Sequence, residues 1–557
     1  MRLKSLNINC LIFILLPLSV FSQSPLTSGS FNYILTDRYE ILGDSINDNI
    51  FSSVKPYRRD FVAKFASNIK PISAVDRFNK DYLLNDNYLY SQFRDDSLII
   101  KDSRQIFKTK NSFVLINEND FKMTLNPVLG FAGASDSEDS IPIYRNSRGI
   151  ELRGSIGNKV GFYTYLLENQ VQNPYFMRSK IKETGFNNGS TLNKSINPDG
   201  KDFFNAIGYV TFSPIKEINV QLGQDKNFIG NGYRSLILSD FSASYPFLKV
   251  NTKAWKFNYQ NLFSQHIDYD PIFSNKKKYS AFHHLSVNLG KNLNIGLFEN
   301  IIFDRNDSTE RGNFELSYFN PIIFYRAVEH SVSGPAGDNA ILGMDWKWNF
   351  KKRFSFYGQF LFDEFIKDEL VSRSKSWVNK WAYQTGLKYI NALNVSNLDM
   401  QVELNQVRPY FYQHRSVSQN WVHYGQSLAH PLGSNVREII TILRYQPLNK
   451  LNINATYSYS IQGLDSSISG TNFGGNYLRD YNNRQTRSDH MPVPMFSGIK
   501  NIISAFSLDA HYMIYHNLFV DAGLFIRKEN NPTINERLNM IFRFGLRMNL
   551  NQIDYRI

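Results

Sequence analysis

Apolar and polar residues alternate along most of the chain after about residue 120. All even positions of residues 340–350 are apolar, while Asp345 and Lys347 stand between them. Residues 538–550 repeat the pattern, with Arg543 at an odd position. Successive side chains of a β-strand point to opposite faces, so the pattern predicts strands with one apolar and one polar face. A closed barrel in a bacterial outer membrane uses both faces, because lipid covers its outside and its lumen is polar.

A soluble β-sandwich also alternates, with its apolar face inside, but the N-terminus of the chain favours a membrane barrel. Arg2 and Lys4 precede an apolar run, which predicts a secretory signal peptide over residues 1–22. Cys10 lies in this segment and is the one cysteine of the sequence, so the exported chain has no disulfide. No later stretch approaches the ~20 consecutive apolar residues of a membrane helix. An exported membrane chain of this kind is predicted to cross with strands, whose backbone groups pair with one another.

The composition agrees with a barrel surface. Aromatic residues make up 15% of the chain, with 44 Phe and 32 Tyr, which suits lipid-facing bands and interfacial girdles. The net charge of +13 falls to +11 when Arg2 and Lys4 leave with the signal peptide. An exported basic barrel meets lipopolysaccharide phosphates and acidic surface glycans rather than nucleic acid. We therefore expect no nucleic-acid partner.

Eighteen strand segments are indicated by the alternation and by the turns between them. They are residues 120–131, 148–156, 160–169, 203–213, 218–225, 245–251, 255–266, 280–289, 293–303, 339–350, 354–364, 381–390, 398–407, 437–446, 451–461, 502–514, 518–527 and 537–550. Even-numbered segments are followed by short turns and odd-numbered ones by longer loops. Bacterial barrels have an even strand number, short periplasmic turns and long outer loops. The sequence therefore predicts an all-β fold over residues 113–557, a transmembrane antiparallel β-barrel of about 18 strands.

Residues 23–112 are predicted to form a small helical region on the periplasmic side. Pro56 opens a helix in which apolar residues from Tyr57 to Ile69 share one face. A second helical pattern starts at Ser73. Three roles stay open for this region: plugging the lumen, docking a periplasmic partner, or capping the floor of the barrel.

The long loop at residues 408–437 is rich in aromatic, amide and imidazole groups. Aromatic faces stack on the C–H faces of sugar rings, while amide and imidazole groups pair with hydroxyls. The candidate glycan-binding residues are Arg408, Tyr410, Tyr412, His414, Trp421, Tyr424 and His430. The open alternative is that the loop folds into the barrel mouth, where these groups satisfy one another.

Metal and phosphate chemistry have little support. His414, His423 and His430 are nine and seven residues apart and match no compact ligand pattern. The glycine-containing segment 230–234 is only superficially similar to a phosphate loop and is predicted to be a surface turn. No G-x-S-x-G motif occurs. We expect no metal, no cofactor and no enzymatic activity.

The polar faces of the strands carry charges of both signs. These charges are Asp345, Lys347, Lys388, Asp399, Glu403, Arg543 and Arg547. Interspersed signs predict a lumen filled with cross-strand ion pairs and hydrogen bonds. A wide diffusive pore can also be charged, so the pattern favours a filled lumen without deciding it.

Several segments together resemble one family. They are YILTDRYEI at 33–41, KPYRR at 55–59, NFIGNGYRSL at 227–236, FNPIIFYR at 319–326, YGQFLFDEF at 357–365, VRPY at 407–410 and HYGQSLAHPLG at 423–433. This set resembles the RemB-type gliding-motility proteins, a branch similar to the Wzi capsule-assembly barrels. The resemblance implies an 18-stranded outer-membrane barrel with an N-terminal helical periplasmic region and a non-enzymatic surface role. It assigns no individual sugar-binding residue.

The sequence thus predicts a cell-surface protein of the outer membrane that supports gliding motility or adhesion by binding or anchoring surface or capsular polysaccharide. Its expected partners are outer-membrane lipid and lipopolysaccharide, the polysaccharide itself, and other gliding or secretion proteins. Two alternatives stay open. One is a channel or porin for small solutes, and the other is a hydrolase embedded in the barrel.

Overall fold

The computed structural model describes residues 24–90, 109–118, 120–157, 159–191, 193–196, 199–270, 274–305, 313–322, 325, 328, 337–363, 376–466, 470–485 and 492–552. The predicted signal peptide, residues 1–22, lies outside these residues.

A closed antiparallel barrel of eighteen strands fills the described part of the chain after residue 120. The strands are β1 (Phe121–Asp136), β2 (Asp139–Ile156), β3 (Val160–Gln172), β4 (Gly200–Ile215), β5 (Ile218–Asp225), β6 (Tyr245–Ala254), β7 (Phe257–Asp270), β8 (Ser274–Leu289), β9 (Leu293–Phe303), β10 (Asn339–Phe350), β11 (Phe354–Phe362), β12 (Trp381–Tyr389), β13 (Leu398–Val407), β14 (Val436–Leu448), β15 (Leu451–Leu464), β16 (Ile499–Tyr515), β17 (Leu518–Asn531) and β18 (Ile534–Met548). Each strand pairs with the next, and β18 closes the ring on β1 from Ile541↔Asp136 to Met548↔Leu129. Each predicted strand overlaps one observed strand, which confirms the barrel and its strand number.

The apolar face of the strands lies outside and the polar face inside. On β18, Phe542 and Phe544 are 58% and 65% exposed, while Arg543 between them turns inward to Asp509. Glu403 on β13 points into the lumen and is fully buried. This is the orientation that a lipid-facing barrel requires, because acyl chains cover apolar groups at little cost and exclude charged ones.

The two ends of the barrel differ in their connections. Even-numbered strands are followed by the predicted short turns, and we call this the short-turn end. Several odd-numbered strands are followed by long connections, and we call that the long-loop end. The prediction of a long loop after every odd-numbered strand is wrong for β1, β7 and β17, because the next strands begin within three or four residues of their ends. These strands continue pairing beyond the predicted segments, so the hairpins close tightly.

The N-terminal region contains three helices, α1 (Phe31–Leu42), α2 (Arg59–Ser67) and α3 (Ala74–Asp86). The predicted helices correspond to α2 and α3. A capping box between Ser73 and Asp76 starts α3, which explains why its beginning is readable from sequence. Helix α1 was not predicted, because its buried side chains include Arg38 and Glu40, which interrupt the helical period of apolar residues.

These helices lie inside the barrel at the short-turn end. Their apolar core includes Met513 of β16 and Phe519 of β17, which point into the lumen. The Tyr82 hydroxyl donates to Asn517 Oδ1 at 2.6 Å in the turn between those two strands. Among the helices that the structure describes, none has the length and apolar character needed to cross a membrane.

A part of the connection between β9 and β10 packs on the outside of the barrel. We call its described residues, 313–322 with Tyr325 and Val328, the outer strap. Phe319 stacks on Phe263 with ring centroids 4.5 Å apart. The strap covers outward-facing polar residues of β7, β8 and β9. One of them is Glu299 of β9, whose Oε2 accepts a hydrogen bond from the Tyr325 amide at 2.7 Å. The strap therefore shields from lipid a carboxylate that would be costly there.

The opposite side of the outer strap is predicted to contact acyl chains, since Ile322 is 87% exposed. Cys10 is the one cysteine of the sequence and lies in the predicted signal peptide, so a nitroxide attached to Ile322→Cys in a chain without that segment reports on this one position. We expect the label to collide with oxygen and to be protected from a water-soluble nickel chelate. An Asn482→Cys label at the long-loop end serves as the water-exposed control. Equal chelate accessibility at both positions would show that the strap lies in water.

Candidate functional site

The loop between β5 and β6, residues 226–244, enters the lumen. Its Ile229 pairs with Val54 of the N-terminal region in a short antiparallel bridge. Gly230 has a φ of +128°, and a Cβ there would lie 2.2 Å from Gln359 Nε2 of the barrel wall. The prediction of a surface turn at residues 230–234 is therefore wrong. Glycine is needed because the backbone passes so close to the wall.

Charged wall residues hold this loop. The amides of Tyr233 and Arg234 donate to Glu403 at 2.6 and 3.0 Å. The Arg234 guanidinium makes two hydrogen bonds to Glu438, at 3.1 and 3.0 Å. Paired bonds of this kind are among the stronger and more specific polar contacts in proteins. His430 Nε2 lies 2.9 Å from Glu438 Oε2, so one carboxylate joins the wall, the inserted loop and the loop above it.

A second set of lumen charges holds the N-terminal helices. Asp37 lies 2.7 Å from Lys347 Nζ and 2.6 Å from Lys388 Nζ. Burial alone would raise the pKa of Asp37, but the two ammonium groups outweigh it and hold this pKa well below its ordinary value. Arg38 pairs with Asp399 at the same end.

The predicted lumen charges therefore face inward and are paired. Cross-strand pairs, as predicted, join His284 with Asp345, Arg543 with Asp509 and Arg547 with Asp521. Lys347, Lys388 and Asp399 differ from the prediction, because they pair with the N-terminal helices. Glu403 makes both kinds of contact, since it binds the inserted loop and also accepts a hydrogen bond from the Tyr357 hydroxyl of β11.

The loop between β13 and β14, residues 408–435, closes the lumen from the long-loop end. The Tyr412 hydroxyl donates to the Leu236 carbonyl at 2.7 Å, and Trp421 Nε1 donates to the Ile237 carbonyl at 3.1 Å. Both side chains are buried in the same apolar core as the loop they contact. The N-terminal helices, the 226–244 loop and the 408–435 loop thus form three layers across the lumen.

The predicted glycan-binding residues lie together, but six of the seven are buried. The buried ones are Arg408, Tyr410, Tyr412, His414, Trp421 and His430. Burial lowers the pKa of Arg408 to about 10, and its guanidinium donates to the Ser376 carbonyl at 3.0 Å. The Tyr410 hydroxyl donates to the Asn472 carbonyl at 2.9 Å. In this closed arrangement these six groups support the loop. Tyr424 is partly exposed beside Phe186, and its contact with glycan stays a prediction.

The three loop histidines have separate partners. His423 Nδ1 accepts a hydrogen bond from the Ile267 amide at 3.0 Å. Burial lowers the pKa of His423 to about 3, so its ring is neutral. Within the described ranges no group of three or more His, Cys, Asp or Glu side chains is placed to hold a metal ion.

An exposed polar patch that the sequence analysis missed lies at the same end. We call Arg415, Tyr481, Asn482 and Asn483 the long-loop patch. Asn482 Nδ2 donates to the Arg415 carbonyl at 2.9 Å, which joins two loops. The Tyr481 ring is partly exposed and lies 6.0 Å from that of His414. Tyr481, Asn482 and Asn483 are adjacent in the sequence and could have indicated this patch. The loop at residues 408–437, with its three histidines, was chosen as the candidate glycan site.

A family model described as capsule assembly protein Wzi matches residues 143–540. The structure is similar to that of Wzi from Escherichia coli, with a TM-score of 0.59, 13% identity, and coverage of 95% of this chain and 100% of that one. That protein is described as an outer membrane protein involved in group 1 capsule assembly and as a carbohydrate-binding β-barrel. OprD from Pseudomonas aeruginosa is more distant, with a TM-score of 0.42, 10% identity, and coverage of 76% and 94% of the two chains. No curated protein sequence matches the chain.

Proposed function

The chain belongs to the capsule assembly protein Wzi family, and on this premise we propose that it holds polysaccharide at the cell surface without altering it chemically. It is an outer-membrane β-barrel protein. Under this proposal the short-turn end faces the periplasm and the long-loop end faces outward, as is usual for bacterial barrels.

The main support for this proposal is that three layers fill the lumen: the N-terminal helices, the 226–244 loop and the 408–435 loop. Glu403 and Glu438 hold the middle layer by hydrogen bonds to Tyr233 and Arg234, and the 408–435 loop covers it. A solute would have to displace buried ion pairs to pass, and breaking such pairs is costly. The outer surface of the closed barrel is then the part that meets a long polymer.

The long-loop patch and Tyr424 are proposed to make the contact with glycan. A tyrosine ring can stack on the apolar face of a sugar, and the amides of Asn482 and Asn483 offer both donors and acceptors to hydroxyls. Arg415 adds a cation for acidic sugars. The six buried residues of the sequence prediction would act indirectly, by holding the 408–435 loop against the patch.

Replacing Tyr481, Asn482 and Asn483 together with alanine is expected to lower polysaccharide retention on cells roughly tenfold to a hundredfold. The loss combines one ring contact with several hydrogen bonds, each worth about 0.5–1.5 kcal/mol. Retention is measured with a labelled antibody or lectin on intact cells. The matched control replaces Tyr175, Lys182 and Asp199 at the same end in a different connection, where the first two are exposed and Asp199 is partly exposed. Equal retention in the two triple variants would remove the patch from the proposed site.

The finer role proposed is support of gliding or adhesion, and it rests on the resemblance to gliding-motility proteins. The partners proposed for this role are lipopolysaccharide and other gliding or secretion proteins. A deletion strain scored separately for spreading on agar and for surface polysaccharide tests it. Loss of polysaccharide with normal spreading would leave the capsule role and reject the motility role.

Two other functions were open from the sequence. A small-solute channel is disfavoured by the filled lumen and would be revealed by conductance in planar bilayers. A barrel-embedded hydrolase would be revealed by turnover of lipid, ester or peptide substrates in detergent.

A further inference from the structure

A polar chamber lies between helix α1 and the barrel wall, near the short-turn end. Its volume is about 180 Å³, which on the scale of one water per ~10–15 Å³ holds on the order of ten waters. A smaller cavity of about 40 Å³ continues along β16, β17 and β18 and shares His511 and Arg547 with it. Exposed Gly29 and Asn551 line the larger cavity. We call the two cavities together the wall chamber.

The lining of the larger cavity has an excess of positive charge. Five arginines line it, three of them on barrel strands (Arg153, Arg444 and Arg547), against three carboxylates, and Arg547 also pairs with Asp521, which lines the smaller cavity. A concave site with charge of one sign and walls of low dielectric constant concentrates ions of the opposite sign. The wall chamber therefore favours an anion.

His511 is a second observation that points to a ligand. Its side chain is only 5% exposed and lines both cavities. Nδ1 lies 2.7 Å from Asp521 Oδ1, which fixes the ring. Nε2 is buried and has no hydrogen-bond partner among the residues that the structure describes. Buried polar atoms nearly always have a hydrogen-bond partner. We therefore expect His511 Nε2 to form a hydrogen bond with a polar group that enters the chamber.

The remaining walls suit a sugar ring. Helix α1 presents Phe31 and Ile34, and Ile34 is 37% exposed although it faces the interior of the barrel. Asn452 and Asn454 of β15 lie among the lining residues and offer amide groups. An apolar face together with amides and guanidinium groups is the combination that recognises a pyranose ring with a carboxylate.

We propose that the wall chamber binds a single carboxylated sugar unit of the uronic-acid type. The ring lies on the Phe31 and Ile34 face, the hydroxyls meet Asn452, Asn454 and His511 Nε2, and the carboxylate meets Arg444 and Arg547. This site is separate from the long-loop patch and goes beyond the proposed function, because it is reached from the opposite end of the barrel.

Titration calorimetry on the full mature protein in detergent tests the proposal with sodium glucuronate, glucose and inorganic phosphate. We expect glucuronate to bind at least tenfold more tightly than either of the other two. Glucose has the ring without the carboxylate, and phosphate is an anion without the ring. Phosphate binding as tightly as glucuronate would overturn the sugar assignment, and no glucuronate binding at millimolar concentration would overturn the site.

Two variants and one control substitution locate the binding. Arg444→Gln should weaken glucuronate at least tenfold, while Arg437→Gln on the same strand should leave it unchanged, because Arg437 bonds Gln406 away from the chamber. Ile34→Trp fills the chamber without removing an ion pair and should abolish binding, which keeps the test decisive if Arg444→Gln does not fold. Unchanged affinity in Ile34→Trp would overturn the proposal. Polysaccharide retention on cells is a separate readout, so failure here leaves the proposed function standing.

Discussion

Glu403→Ala is expected to lower the free energy of unfolding by about 3 to 5 kcal/mol, the range for breaking a buried charged contact. The carboxylate is fully buried and accepts hydrogen bonds from the Tyr233 amide, the Arg234 amide and the Tyr357 hydroxyl, at 2.6, 3.0 and 2.8 Å. Alanine leaves these donors without an acceptor inside the lumen, and each unsatisfied group adds a desolvation cost. The 226–244 loop should then detach from the wall. Denaturant titration in detergent, followed by tryptophan fluorescence, measures the change.

The matched control for Glu403→Ala is Glu536→Ala. Glu536 pairs with Lys528 at 2.6 Å, but both side chains are about half exposed (53% and 50%). Such surface pairs contribute about 0–1 kcal/mol. Similar destabilisation by the two substitutions would mean that Glu403 does not hold the inserted loop.

Asp37→Asn is expected to release the N-terminal helices from the lumen, at a cost of about 3 kcal/mol. Asp37 is the shared partner of Lys347 and Lys388, and Lys347 is fully buried. The neutral amide leaves two ammonium groups facing one another with less compensation. Limited proteolysis should therefore cut within residues 24–90 of this variant faster than in the unchanged protein.

The same contact gives a pH dependence whose sign follows from the pKa of Asp37. The folded pKa lies below the ordinary value of about 4, so the stabilisation is present above that pH and is lost as the pH falls below it. Asp81→Asn, at an exposed position of α3, is the control and should behave like the unchanged protein. Faster proteolysis of the Asp81 variant as well would indicate a general effect of removing charge.

The barrel was predictable from sequence because strand alternation is a local property. Once the chain is known to meet lipid, the apolar face of a strand is assigned to the outside and the charged face to the lumen, as Phe542, Arg543 and Phe544 show. The short turns then set the register of neighbouring strands. The start of α3 was also readable, since Ser73 and Asp76 form their capping box within one turn.

The sequence left open whether the N-terminal region and the 408–435 loop enter the lumen, because the residues that would bind them there are distant in sequence. Arg38 lies 361 residues from Asp399, and the Tyr233 amide lies 170 residues from Glu403. In a barrel the interior is polar, so an inserted segment carries charged and amide groups and looks like an exposed loop. The 408–435 loop could be interpreted as an exposed loop for the same reason, since its polar groups face a polar interior. There Tyr412 and Trp421 close the lumen by donating hydrogen bonds to carbonyl groups. Aromatic residues with polar tips suit both a glycan surface and a polar interior.

The most direct test of the filled lumen is the single-channel conductance of the purified protein in planar bilayers. The three layers formed by the N-terminal helices, the 226–244 loop and the 408–435 loop predict no steady conductance. A large, stable open-channel current from the unchanged protein would contradict the closed barrel, and with it the proposal that this chain holds polysaccharide on its outer surface rather than passing solutes through its lumen.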